Sequence, residues 1–321
     1  MKKVLFATTA TSALLFAGLA SAQGISLFGD ARLGMTYNED RDDELQATSR
    51  VRFGVNMTGE TDSGITFGAS VRADNAVAGE NGLAGSTFVS GSLGTLTFGD
   101  TSGADENWVG DVPGNLTLTG IGDENETPFI SNAGGFEVAA GDGLAFAPNP
   151  QARPTVRYDF DIAGFGVSVS TNRLMDDYGV GAGYAGSFGG VDLNVGVGYY
   201  DFDGFDTGVG ADIQEVADGE QVSATVGAAF GNFALGVVWQ NADSDDAEYE
   251  TVHVGGTAGF GAFTVGAWYV NAIENLDINE EDDSMGLSAE YDLGGGASVK
   301  GGVGQNFAGS TIGDFGISMS F

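Results

Sequence analysis

Apolar and polar residues alternate one by one along most of this chain. From Ile25 to Tyr37 one face reads Ile25, Leu27, Ala31, Leu33, Met35 and Tyr37. The other reads Ser26, Asp30, Arg32, Gly34 and Thr36, with Phe28 out of step. Arg50 to Thr58 sets Val51, Phe53, Val55 and Met57 against Arg50, Arg52, Gly54, Asn56 and Thr58. Ile65 to Asp74 repeats the pattern, and the chain ends on Phe315, Ile317, Met319 and Phe321 against Gly316, Ser318 and Ser320. A side-chain period of two belongs to a β-strand. After residue 22, no run approaches the ~20 consecutive apolar residues of a membrane helix. The fold class is therefore read as all-β.

Sixteen segments carry the pattern, near 25–37, 48–59, 64–74, 86–91, 94–99, 153–161, 164–172, 178–187, 190–201, 220–230, 232–242, 247–260, 262–272, 284–293, 296–306 and 311–321. Short links such as Gly189-Gly190 and Gly231-Asn232 alternate with longer acidic ones such as 38–47, 201–219 and 271–283. A soluble β-sandwich also alternates its side chains, but gives no reason for loop length to alternate by side. Short turns at one end and long loops at the other are the pattern of a transmembrane antiparallel 16-stranded barrel. In lipid, strands satisfy every backbone group only in a closed barrel. The apolar face then meets lipid and the polar face lines a lumen wide enough for water.

Composition excludes several alternatives. With 45 acids against 11 bases and a formal charge of −34, the chain lacks the cations a nucleic-acid binder needs. Cysteine is absent and histidine occurs once, as His253, so thiol chemistry and the usual zinc sites are excluded. Residues 1–22 read separately: Lys2 and Lys3, an apolar stretch to Ala20, then the A-x-A-like Ala20-Ser21-Ala22. That is the signature of a secretory leader rather than an anchor, and it places the mature barrel at 23–321.

All five prolines fall between Pro113 and Pro154, and the alternation fades from 100 to 152. A connection that long inside a compact fold is usually functional. The expectation is that this third long loop folds inward and narrows the lumen; an extracellular flap is the alternative. Arg32, Arg50, Arg52 and Arg72 fall at lumen positions of three successive strands, and Arg157 shares their parity. The loop supplies Asp105, Glu106, Asp111, Asp123, Glu124 and Glu126. A basic wall facing an acidic loop would set a transverse field, since rings of charged side chains govern pore selectivity. Alternatively the arginines pair only with nearby lumen acids such as Asp30 and Asp74.

The strings GISLFGDARLGMTYNEDR, SRVRFGVNMTGETDSGITFGASVRADN, GTLTFGDTSGADENWVGDV and the terminal GDFGISMSF resemble the general diffusion porins of alphaproteobacteria (the Rhodobacter type). The resemblance spans essentially the whole mature chain. It implies a sixteen-stranded homotrimer in the Gram-negative outer membrane, passing ions and small hydrophilic solutes. It also implies an inward third loop whose acids oppose an arginine cluster, matched here by the 105–126 acids and by Arg32, Arg50, Arg52 and Arg72. Residues 134–152, rich in Gly and Ala, depart from the family pattern. Phe321 looks like the terminal aromatic through which such barrels are recognised for insertion.

Other signals weigh less. Gly181-Ala182-Gly183-Tyr184-Ala185-Gly186 matches G-x-G-x-x-G, but strand alternation continues on both sides where a helix should follow. The acid runs 42–44 and 280–283 could hold Ca²⁺ with loop carbonyls, or be solvated loop charge; no other cofactor is indicated. His253 is expected to line the lumen. Three function classes follow: a passive pore, a plugged structural or adhesive barrel, and an outer-membrane hydrolase resting on His253 alone.

Overall fold

The computed structural model describes residues 24–74, 85–99, 101–121, 125–132, 154–172, 175–206, 215–216, 218–244, 248–274 and 283–321. The segment 1–22 lies outside them. The first nine strands are β1 (Gly24–Asn38), β2 (Leu45–Glu60), β3 (Thr66–Asp74), β4 (Ser86–Gly91), β5 (Gly94–Gly99), β6 (Pro154–Ile162), β7 (Phe165–Asn172), β8 (Tyr178–Phe188) and β9 (Val191–Phe202). A two-residue hairpin, β10 (Phe205–Asp206) and β11 (Glu215–Val216), stands apart from the wall. Then come β12 (Gly219–Phe230), β13 (Phe233–Ser244), β14 (Glu248–Phe260), β15 (Phe263–Glu274), β16 (Asp283–Gly294), β17 (Ala297–Gln305) and β18 (Thr311–Ser320).

All but the hairpin form one closed antiparallel ring of sixteen strands. Each expected strand is present, with ends displaced by at most three residues. The seam is β1 on β18, registered from Asp30 opposite Ser320 to Asn38 opposite Ile312. Phe321 extends it: its N–H donates to the Gly29 carbonyl at 2.9 Å. Closure leaves no unpaired edge, which a lipid setting requires.

The alternation sorts side chains as the pattern dictates. Outward Ile25 and Leu27 are about three-quarters exposed, at 75% and 77%, on an apolar surface that water would not favour. Phe28 points inward, where its ring occupies the space a side chain on Gly54, its cross-strand partner, would need. The short turns need left-handed backbone, and Gly189 and Gly190 supply it at φ +60° and +87°. Loop length does not alternate strictly: the β13–β14 link spans only 245–247 on the long-loop side. Outward aromatics ring the turn end, with Phe165 against Tyr184 at 4.6 Å and Phe230 stacked on Phe233 at 5.5 Å. At the loop end Tyr199 donates to Glu220, Trp239 to Glu250 and Tyr269 to Asp283. Amphipathic rings with wet tips suit a membrane interface.

Candidate functional site

The third long connection does enter the barrel. Its described parts, 101–121 and 125–132, lie along the inner wall. Helix α1 (Ala104–Val109) is six residues long, bounded by Gly103 and by Gly110 at φ +59°. The Ala104 N–H donates to Ser170 Oγ at 3.0 Å, fixing the start of α1 to β7. The wall makes room with glycine. Backbone oxygens of Ala104, Trp108 and Pro113 sit where side chains on Gly181, Gly196 and Gly255 would begin, 1.9 Å from each ideal Cβ position. The Trp108 ring lies over Gly166 and Gly183 and donates to Ser168 Oγ at 2.9 Å. The G-x-G-x-x-G string therefore lies in β8, where its Gly181 and Gly183 serve as the seat of α1.

From Pro113 the loop continues around the ring. Ser288 on β16 accepts from the Leu116 N–H and donates to the Gly114 carbonyl, at 2.9 and 2.6 Å. On β18, Asp314 accepts from the backbone of Leu118 and Thr119 and from the Thr119 hydroxyl. Leu118 packs where Gly34 and Gly316 leave space, and Arg32 donates to its carbonyl at 3.2 Å. The loop thus runs over the inner wall from β7, past β18, to β1.

That course divides the lumen wall. Under the loop, inward Gln221, Val238, Gln240, Thr251 and Val270 are all buried. Two apolar clusters lie inside the barrel: Val109, Val112, Phe129 and Val238 in one, and Ile121, Trp268, Val270, Ala272, Phe307 and Ile312 in the other. His253 belongs to this sealed region and does not line water, contrary to the expectation from its parity. It is fully buried, with Nε2 3.1 Å from Thr251 Oγ1 and Nδ1 3.4 Å from the Asn125 carbonyl.

The arginines cluster on the uncovered wall. Arg32 stands opposite Arg50, Arg52 opposite both Asp30 and Asp74, and Arg72 opposite Gly54 in the β1–β2–β3 register. Arg50 pairs with Asp30 at 3.1 Å, both side chains part-exposed at 24% and 36%. Arg72 is exposed to the lumen. Arg157 does not join them. It is buried at the root of the loop, paired with Asp159 at 3.0 Å and donating to the Ser102 carbonyl, so it braces the loop entry instead of lining the pore.

The loop acids also separate. Asp105 and Glu106 face neither water nor the arginines: α1 turns them toward the covered wall, where they are 1% and 8% exposed. Ser131 donates to Asp105 Oδ2 at 2.9 Å, while Asp105 Oδ1 and Glu106 Oε2 have no hydrogen-bond partner. Burial pushes the Asp105 carboxyl up to about 6. Burial, reinforced by Asp105 and Asp111 and opposed by Arg157, pushes Glu106 up to about 8. Asp111 is half-buried and accepts the Thr127 N–H, and Glu126 is exposed. Asp123 and Glu124 lie outside the described residues. In a ring of sixteen, β9 to β13 lie opposite β1 to β3, so α1, packed on β8 and β9, sits across the lumen from the arginines. Among the described residues, no group of three or more His, Cys, Asp or Glu side chains is placed to hold a metal ion. Asp42, Asp43 and Glu44 are exposed between β1 and β2, and 280–282 are outside the described residues.

Comparison with known proteins agrees with this architecture. The family described as Gram-negative porin matches residues 7–309. A porin of Rhodobacter capsulatus is 32% identical over 92% of this chain and all of its own length, and a porin of Fuscovulum blasticum is 26% identical with the same coverage. A refined porin crystal structure superposes with a TM-score of 0.67 at 26% identity, covering 93% of this chain and all of that one. A triple mutant of Rhodopseudomonas blastica porin shares the fold, with a TM-score of 0.64, 22% identity and the same coverage.

Proposed function

The chain belongs to the Gram-negative porins, outer-membrane channels for passive diffusion, and from that premise we propose where its solutes cross: between the arginine wall of β1–β3 and the face of the inward loop that carries Asp111 and Glu126. The observation that carries this reading is the division of the inner wall. One part is buried under the loop, and the part bearing Asp30, Arg50 and Arg72 stays open to water. Opposed charges across a narrow aqueous section orient dipolar solutes and disfavour apolar ones, because ordering water around both walls leaves no place to shed hydration. Asp105, Glu106 and Arg157 act in this reading as supports of the loop. Asp123 and Glu124 follow in the same stretch of sequence and lie outside the described residues.

No enzymatic role enters. The one histidine is sealed beneath the loop, beyond the reach of a solute. No cofactor is needed; a Ca²⁺ held by the acids 42–44 or 280–283 would show as a chelator-dependent change in thermal stability. Residues 1–22 are read as the export leader, testable by the N-terminal residue of the mature protein. Three copies are the expected assembly. The turn-end aromatic belt is interrupted from β17 to β2, where outward positions carry Val299, Met319, Ile25, Leu27 and Met57, with Phe321 the exception. That aliphatic turn end suits contact with another barrel, with the outward rings of Phe53 and Phe315 set further along β2 and β18.

The deciding experiment is single-channel conductance in a planar bilayer under a salt gradient. Steps in threes that scale with salt are expected, with a reversal potential that moves toward cations when Arg50, Arg52 and Arg72 are neutralised together. Silent insertions would instead indicate a plugged, structural barrel.

A further inference from the structure

We propose that the outer face of β6–β9 binds one acyl chain of a phospholipid, in the leaflet that meets the turn end of the barrel. A groove of about 550 Å³ lies on that face, bordered by Phe160 of β6, Phe165 of β7 and Val195 of β9. Its depth comes from Ala182 on β8, a small side chain in register with Val167 on one side and Val197 on the other. The wall below is thin. Gly166, Gly183 and Gly196 form the next row across the same three strands, and their backbone lines the groove. On the lumen side the Trp108 ring lies over Gly166 and Gly183, and the Trp108 carbonyl abuts Gly196. The groove and the seat of α1 are therefore opposite faces of one glycine patch.

The chemistry of the lining selects the occupant. Tyr184 is the one lining residue with a polar side-chain atom. Its ring packs on Phe165 at 4.6 Å, and its hydroxyl lies over Gly186, nearer the turn at Gly189-Gly190. An apolar trough thus ends, toward the turns, in a single hydroxyl at the level of the aromatic belt. That is the polarity of an esterified fatty acid: methylenes lie along Phe160 and Val197, and the ester carbonyl accepts from the Tyr184 hydroxyl. Leaving bulk lipid for the groove brings no hydrophobic gain, because both are hydrocarbon. Retention comes instead from dispersion contact on three sides of the chain and from the one hydrogen bond. A second barrel is the poorer occupant, since the sector suited to it runs from β17 to β2 and β6–β9 lies on other strands of the ring. The short turns of such barrels face the periplasm, which makes the lipid one of the periplasmic leaflet.

Trp108 is a built-in reporter, separated from the groove only by the backbone of β7–β9. With Trp239→Phe and Trp268→Phe it is the single tryptophan of the chain. The test titrates that protein, in detergent, with a diacyl phosphatidylethanolamine brominated at mid-chain, and reads the quenching of Trp108. Quenching that saturates at a single lipid per barrel is expected. Ala182→Phe fills the groove from the lipid side, leaves the glycine row intact, and should abolish the saturation. Tyr184→Phe removes one hydrogen bond and should raise the lipid needed for half-saturation by a factor of about 2 to 10. Quenching that grows in proportion to lipid without saturating is ordinary lipid contact and overturns the inference, as does a saturating curve that Ala182→Phe leaves unchanged. Where the tryptophan variants do not assemble, native mass measurement of the delipidated wild type and of Ala182→Phe decides: one retained phospholipid, lost in the variant, is expected, and equal retention overturns the inference. An oligomer that dissociates in Ala182→Phe overturns it in favour of a second copy of the chain.

Discussion

The inner wall of β1 to β3 and that of β12 to β16 follow the same alternation, yet one is wet and charged and the other dry. On the first, Arg50 and Asp30 pair in contact with water. On the second, Val238, Gln240, Thr251 and Val270 have no exposure, and two apolar clusters close over them. The strand period decides only which side a residue faces. What that side meets is decided by a segment elsewhere in the chain. Half of this barrel's inner wall therefore behaves as a protein core, with a core's sensitivity to lost volume, and half as a channel lining, whose substitutions should alter flux more than stability.

The largest expected effect lies in the dry region. Phe307→Ala removes a 1% exposed ring packed with Trp268 and Ile121 and should cost about 3–5 kcal/mol, read as a lower unfolding midpoint in detergent. Gly255→Val comes next. Its Cβ would start 1.9 Å from the Pro113 carbonyl, so the loop must lift, at a cost of about 3 kcal/mol and with noisier conductance. An unaltered channel from either variant would break the comparison. On the wet wall, replacing Arg50, Arg52 and Arg72 together by Ala should move the reversal potential toward cations. The unfolding midpoint should change by about 1 kcal/mol or less, since exposed ion pairs contribute little.

Smaller again is a pH effect at the seat of α1. Asp105 and Glu106 have folded-state values raised to about 6 and about 8, so their neutral forms favour the docked loop. That contribution is complete below about pH 4 and is lost as pH rises through 6 and then 8. Loop-dependent noise should increase across this window, and Glu106→Gln should remove the upper part of the rise. The smallest effect belongs to Lys300→Ala, which breaks a part-exposed pair with Glu290 at 3.5 Å and should cost about 1 kcal/mol or less.

Sixteen strands were legible because each carries its own period and each turn its own glycines. The inward loop was legible as a place where that period stops. Two of its acids were misread for a physical reason: a carboxylate's burial depends on what packs over it, and Asp105 and Glu106 are covered by a wall built from strands far along the chain. A local hint existed in Trp108 and Val109 beside them. The dry wall left a plainer trace. In Leu235-Gly236-Val237-Val238-Trp239, and at Trp268 and Val270, lumen positions are as apolar as lipid positions, which a water-lined strand does not show. Arg157 gave no such trace, since its Asp159 partner has the same parity as any lumen pair.

The glycine seat of the loop also has a consequence in time. The loop is made before every strand it rests on from β6 onward, and its last anchor, on β18, belongs to the final ten residues of the wall. Contacts between segments so distant in sequence form late, after the entropy of bringing them together has been overcome. The far end of that seat, Gly34 beside Gly316, exists only once β18 has closed on β1. Until then the stretch 117–119 has nothing to dock on, although α1 can already rest on β8 and β9. The narrowing of the channel is completed only at closure.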